Sequence, residues 1–386
     1  MFAMLHGAWP RVTADGIDLA ALEADVAAGR AKPAALNEAI AAHTAQVLAA
    51  QTGAGLALVT DGHVRWADPA GVVLAAIAAK QAGEEGPLVA AWKAAAALVE
   101  AGGAVGSAAV APDALVAQVA QAIPGPYTLA RRAVEEALRE AADAGEAPPA
   151  KARQDEARAE VALAIADALA DEIGALAAAG CAVILVEEPE AVRMVNDDAE
   201  RVLFAAAGTR LLAQAGGVHA MLVLTGGNAD AIGWRTVFGP PWQSVLVDLI
   251  DGPDSWRLVR EAPGDRGIIA GAFSMTDTDA ADQAPQLVWA AHYAASANGR
   301  GFDRVGLANA QPVTGFSAER VQTAITQLAM GARMATMSPA DAVEAGLDPK
   351  SIADARTMPA LANRESRRQA KKDNKVARRS GPEASN

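Results

Sequence analysis

The chain has 386 residues, 52% of them hydrophobic and only 4% aromatic, and carries a formal net charge of −13. That length supports a large buried core, and α/β barrels of this size form a single unit. The acidic balance argues against generic affinity for nucleic acid or an anionic membrane surface, and a lone cysteine, Cys181, excludes both an intrachain disulfide and a cysteine-based metal cluster.

The opening MFAMLHGAWP has no basic segment followed by a long apolar run, so no signal peptide is expected. No stretch reaches the roughly 18 uninterrupted apolar residues that a membrane-spanning helix needs. A soluble, cytoplasmic protein is expected.

In chain order, the strand candidates are MFAMLHG (1–7), GLALVTDG (55–62), PLVAAW (87–92), VAQAIPGP (119–126), CAVILVEEP (181–189), HAMLVLTGG (219–227), SVLVDLID (244–251), RGIIAGAFS (266–274) and RVGLANA (304–310). Several are continuous apolar runs, as parallel strands buried on both faces require. Many end in Gly, Pro, Asp or Glu, which puts polar groups at the carboxyl ends. Helical patterns lie between them, among them DLAALEADVAAGR (18–30), ALNEAIAAHTAQVLAAQTG (35–53) and ARAEVALAIADALADEIGALAAAG (157–180); the last two stop at glycine.

Repeated βα units give a doubly wound sheet or an eight-stranded (β/α)8 TIM barrel. The barrel is favoured because no single glycine-rich phosphate loop dominates the first unit. Nine candidates for eight positions mean one extra strand or one misread helix. The charged, proline-broken EAADAGEAPPAKARQDEARAE (140–160) reads as a surface excursion between two barrel helices. The barrel is expected to span 1–337, followed by an appendage over 338–363. The tail 364–386 has eight basic residues against three acidic ones and almost no apolar side chains, so it is expected to be disordered or loosely helical. That tail is the only feature that could suit nucleic acid or an acidic partner.

Five stretches, in this order, carry a family resemblance: HGAWPR (6–11) followed by LEADVAAGRAKPAALNEAI (22–40), QTGAGLALVTDGHVRWADP (51–69), IPGPYTLA (123–130) and AAAGCAVILVEEPEA (177–191). Together with the downstream strands they resemble, over residues 1–335, the catalytic barrel of cobalamin-independent methionine synthase, which shares its fold with uroporphyrinogen decarboxylase. The resemblance implies methyl transfer from a donor such as a methylated folate, and no cobalamin. It also implies a zinc ion at the carboxyl ends of the strands. Free thiols have pKa values near 8.5 and are mostly protonated at neutral pH; zinc stabilises the thiolate and leaves it nucleophilic.

Carried over residue by residue, the implied zinc ligands are uneven. His219 matches the family's histidine, whereas Met221 stands at the first cysteine. Asp248 or Asp251 lies near the glutamate position, and Gln311 near the second cysteine. The metal candidates reduce to His219 and Asp248. At the implied amino-acid-binding positions, Ala8 replaces a serine, His63 a glutamate and Glu187 an aspartate, while Glu188 and Pro189 keep their places.

The catalytic candidates are therefore His219, Glu187, His63 and Asp61. Glu187 and Glu188 adjoin at a strand end and should point to opposite sides. Crowded carboxylates there would raise one pKa. Asp61 and His63 flank Gly62 in a strand-end loop. Trp9, Arg65, Glu188 and Asn228 are the candidate substrate contacts, with Trp9 as a wall for a flat ligand or as core. Cys181 and Met221 read as apolar core residues.

Three functions stay open. The first is a divergent methyltransferase that has lost the zinc-binding cysteines. The second is a non-catalytic, ligand-binding barrel. The third is a metal-free lyase like uroporphyrinogen decarboxylase, for which only Arg11 and Arg65 lie near early strand ends to hold carboxylates.

Overall fold

The computed structural model describes residues 1–81, 86–105, 117–194, 197–277 and 283–344. The strands are β1 (Phe2–Ala3), β2 (Leu58–Val59), β3 (Gln118–Pro124), β4 (Val183–Glu187), β5 (His219–Leu224), β6 (Ser244–Asp248), β7 (Gly267–Phe273) and β8 (Val305–Asn309). They pair in parallel in the order β1-β8-β7-β6-β5-β4-β3-β2. This is a nearly closed (β/α)8 barrel. Among the described residues β1 and β2 share no ladder. Their seam is bridged beyond the carboxyl ends, where the Trp9 amide donates to the Gly62 carbonyl at 2.8 Å and Arg11 Nε donates to the Val64 carbonyl at 3.0 Å.

Alternation along the strands separates two apolar layers. Met4, Leu58, Ala120, Ala122, Val183, Leu185, Met221, Val223, Leu246, Ile269 and Ala308 fill the barrel interior. The opposite faces, such as Ile184, Val186, Leu222, Val245, Ile268 and Leu307, pack against the surrounding helices. A Cβ on Gly306 would lie 2.7 Å from the Phe2 ring, so glycine there leaves room for an interior aromatic.

The helices are α1 (Leu19–Ala27), α2 (Pro33–Gly53), α3 (Pro69–Gln81), α4 (Pro87–Val105), α5 (Pro126–Asp143), α6 (Lys151–Ala178), α7 (Asp198–Leu211), α8 (Trp234–Val237), α9 (Trp256–Glu261), α10 (Ala284–Ser296), α11 (Ala318–Thr336) and α12 (Pro339–Glu344). Asp18, Asp197 and Ser317 cap α1, α7 and α11 with side-chain oxygens, and proline opens α2 and α5.

One strand expectation is corrected: PLVAAW (87–92) opens α4. Proline at its first position suits a helix start, and the alanine-rich run continues to residue 105. The excursion expected over 140–160 is only partly irregular, since α5 runs to Asp143 and α6 begins at Lys151. Burial in α5 is confined to Pro126–Ala130, and in α6 it begins at Ala162. The outer parts of the two helices thus carry their charges away from the ring.

The barrel elements run from Phe2 to Thr336. Of the expected appendage (338–363), only the stretch through residue 344, which holds α12, is described. The rest of it and the basic tail (364–386) lie outside the described residues. Among the described residues, no helix is long and apolar enough to cross a membrane.

Candidate functional site

The strand ends converge on a polar mouth. By alternation His6 continues the inner face of β1 after Phe2 and Met4, and Glu187 and Asp248 end the inner faces of β4 and β6. The loop after β2 brings in Asp61 and His63, and the stretch after β8 brings in Gln311.

At the end of β2, Asp61 Oδ1 accepts the His63 amide at 3.0 Å, which folds the chain back over Gly62. His63 adopts φ 52°, a left-handed conformation costly for a bulky side chain. Its ring is 3% exposed and lies against Trp66, with centroids 5.2 Å apart. Its Nε2 stands 3.8 Å from Glu187 Oε2 on β4. Trp9 packs directly over Gly62, where a Cβ would fall 2.5 Å from the indole. Trp9, Asp61, His63, Trp66 and Glu187 are thereby linked through direct contacts.

The set is marked by buried polar atoms without partners among the described residues: Trp9 Nε1, Asp61 Oδ2, both His63 ring nitrogens, Arg65 Nε, Glu187 Oε1 and Gln311 Nε2. Unpaired buried donors and acceptors each cost roughly 1–3 kcal/mol and are rare in folded proteins. Their gathering at one end of the barrel makes that end the candidate site.

His6 belongs to this mouth and is the residue that sequence reasoning missed. Its Nε2 donates to the Asn309 carbonyl at 3.0 Å, while its backbone N–H and C=O are both held by the Asn309 side chain. Burial lowers its pKa, against the opposing pull of the Glu187 and Asp248 charges. The signal was available, since His6 falls on the inner face by simple alternation.

Several expected roles are corrected. His219 is the first residue of β5, paired with Val183 at the start of β4, and it is exposed at the amino-terminal end of the barrel. Its Nε2 is hydrogen-bonded to Ser244 Oγ at 2.8 Å, at the start of β6. Asp248 lies four residues further along β6, about 13 Å away at roughly 3.3 Å per residue. His219 and Asp248 therefore cannot ligate one ion whose bonds are about 2 Å long. Among the described residues no group of three or more His, Cys, Asp or Glu could hold a metal ion. The donor set does not fit the zinc that the resemblance implies.

Asp248 is wholly buried and accepts from the amides of Ile250, Asp251 and Gly226. It ties its own loop to that of β5, and burial raises its pKa. Glu188, expected as a substrate contact on the side opposite Glu187, is engaged in capping a helix: its oxygens accept from Tyr127 N at 3.0 Å and Thr128 N at 2.7 Å in the first turn of α5. Burial pushes its pKa up to about 7 despite those bonds, with Glu190 adding a smaller push. The raised carboxylate thus owes its shift to burial before any crowding.

Asn228 Oδ1 accepts the Asp254 amide at 2.8 Å and joins two loops. Arg11 is committed to Glu23 and the Val64 carbonyl, which leaves Arg65 as the early arginine without a partner among the described residues. Met221 sits mid-strand in the apolar interior. Cys181 is buried, and burial pushes its thiol up to about 11.

The chain matches no protein-family model and no curated protein. Solved structures do match. A B12-independent methionine synthase from Shewanella sp. W3-18-1, in complex with selenomethionine, is 13% identical with TM-score 0.58, covering 86% of this chain and 96% of that one. A protein assigned as a vitamin-B12-independent methionine synthase from Listeria monocytogenes is 14% identical with TM-score 0.56, over 87% and 96% of the two chains. A methyltransferase from Methanosarcina mazei is 15% identical with TM-score 0.50, over 84% and 93%. At such identities the likeness is one of fold: the chain is a barrel of the methionine-synthase shape.

Proposed function

We propose that the protein is a methyltransferase-type enzyme, divergent from B12-independent methionine synthases, acting on a small molecule at the carboxyl-terminal mouth. The observation that carries this reading is the contact of buried His63 with half-buried Glu187, set among unpartnered polar atoms in a barrel of that shape.

The chemistry asks for proton handling. When a methyl group leaves a tertiary-amine donor, such as a methylated folate, for an acceptor H–X, the N–CH3 bond breaks and a CH3–X bond forms. The departing nitrogen ends with the proton that X gives up. A histidine and a carboxylate 3.8 Å apart form a pair that can take that proton and return it. Asp61 holds the turn that aims His63, and Trp9 walls the site. A step through bound zinc forms no part of this reading, because the donor set does not fit one.

The test is transfer of isotopically labelled methyl from a methylated folate to a panel of thiols, amines and alcohols. Wild type transfers label, and Glu187→Gln or His63→Ala lowers the rate about 100-fold or more, the range typical of general acid–base groups. His219→Ala, at the opposite end of the barrel, leaves it unchanged. Binding without transfer to any acceptor overturns the enzymatic reading in favour of a ligand-binding barrel.

A further inference from the structure

The fold fixes both the place and the tautomer of His6. The Asn309 side chain grips its backbone from both sides, Oδ1 accepting the His6 amide at 3.1 Å and Nδ2 donating to the His6 carbonyl at 3.0 Å. The same Nδ2 donates to the Gln311 carbonyl at 2.8 Å, so the ends of β1 and β8 form one clamped unit. A carbonyl oxygen can only accept, so the 3.0 Å contact of Nε2 with the Asn309 carbonyl puts the ring proton on Nε2. The neutral ring therefore keeps its lone pair on Nδ1. Burial holds His6 neutral, while the carboxylates of Glu187 on β4 and Asp248 on β6 favour its charged form once a proton arrives. A neutral imidazole with a fixed lone pair and two carboxylates in electrostatic reach is a base waiting for a proton.

We infer that His6 is the base that takes the acceptor's proton, through Nδ1, while the His63–Glu187 pair is the acid that protonates the departing nitrogen. The inference rests on the proposed methyl transfer and divides its two proton steps between two histidines. In an in-line displacement the acceptor and the leaving nitrogen lie on opposite sides of the methyl carbon, so two separate groups serve them better than one. The acceptor H–X gives its proton to His6, and X attacks the methyl carbon. The N–CH3 bond breaks with its electron pair on the donor nitrogen, which takes a proton from His63, held 3.8 Å from Glu187. His6 ends protonated and His63 neutral, and one proton passed from the first to the second restores both.

The test is His6→Gln in the full-length chain. A glutamine amide can donate to the Asn309 carbonyl in place of Nε2–H, but it takes up no proton. Thermal unfolding should match wild type, and transfer of labelled methyl from a methylated folate should fall about 100-fold. The wild-type rate should rise with pH as His6 loses its proton, below the ordinary 6.5, and this rise should vanish in the variant. NMR of the ring gives a readout apart from activity. The His6 ring should carry its proton on Nε2 and titrate below 6.5. Glu187→Gln removes a carboxylate that favours the charged ring, so it should move both the ring titration and the kinetic rise to lower pH. Undiminished transfer with the rise intact in His6→Gln overturns the inference, as does a ring that titrates above 6.5 or holds its proton on Nδ1. Should His6→Gln unfold, the coincidence of kinetic rise and ring titration in wild type and Glu187→Gln decides. The two readings fail separately: transfer indifferent to His6→Gln sinks only this base, whereas no transfer by wild type sinks the enzyme and the base with it.

Discussion

Glu188 occupies the space that a side chain on residue 125 would need. A Cβ built on Gly125 lies 2.2 Å from the Glu188 carboxyl carbon, and that carboxylate caps the α5 amides two and three residues further on. The β3–α5 turn and the end of β4 are thus one unit, and Glu187 is aimed by a neighbour whose own side chain is fixed.

Gly125→Ala must therefore expel the cap. The expected cost is about 2–4 kcal/mol, combining the lost helix cap with a displaced buried carboxyl. Glu188→Ala on its own should cost a similar amount. Because both act through the same contact, the double variant should fall well short of the sum. Denaturant unfolding of the three variants measures this, and full additivity would show that the residues are independent.

The titration of Glu188 gives a signed pH dependence. Its carboxyl lies at about 7 in the folded protein against an ordinary 4.5, so between those values the folded state holds a proton that the unfolded state has lost. This contribution makes stability fall as pH rises from 4.5 to 7, by on the order of 3 kcal/mol. Buried Asp248, also raised, tilts stability the same way. Glu188→Gln cannot titrate, so the advantage of wild type over this variant should shrink across that window. An advantage that grows with pH would mean that the helix amides outweigh burial.

The barrel was legible because parallel strands buried on both faces announce themselves as short apolar runs, and eight of the nine runs are strands. PLVAAW failed because a short apolar run looks the same in a buried strand and at the start of a buried helix. His219 shows a different limit. The predicted strand HAMLVLTGG already put the histidine first, but the resemblance implied a role at the carboxyl end, and the strand continues through Leu224 toward the mouth. Glu188 was visible as a strand-end carboxylate. Its role was not, because its partners Tyr127 and Thr128 lie about sixty residues earlier in the chain. His63 and Glu187 were named separately, and only the fold brings them within 3.8 Å.

At the opposite end of the barrel, Arg300 is 2% exposed and donates to the carbonyls of Arg266, Ala294, Ala262 and Pro263. It holds the approaches to β7 and β8 through backbone oxygens, and burial lowers its pKa. Arg300→Met strands these carbonyls and should cost about 2–4 kcal/mol. Arg300→Lys should recover little, since a compact ammonium cannot span the fork. Ligand affinity at the mouth should not move in either variant. Thermal unfolding beside a binding titration separates the two readouts.

His63 offers the sharpest separation of stability from function. It holds a left-handed backbone at φ 52° and a buried ring with two unengaged nitrogens, all of which work against folding. Asparagine tolerates that backbone region and is smaller. Relief of strain and of unpaired nitrogens should offset the lost contact with Trp66, leaving His63→Asn within about 1 kcal/mol of wild type or above it. Methyl transfer should fall at least tenfold. A loss of several kcal/mol would instead make the imidazole a structural ring packed on Trp66. The end of β2 would then drop out of the site, and Glu187 would be left without its proton partner.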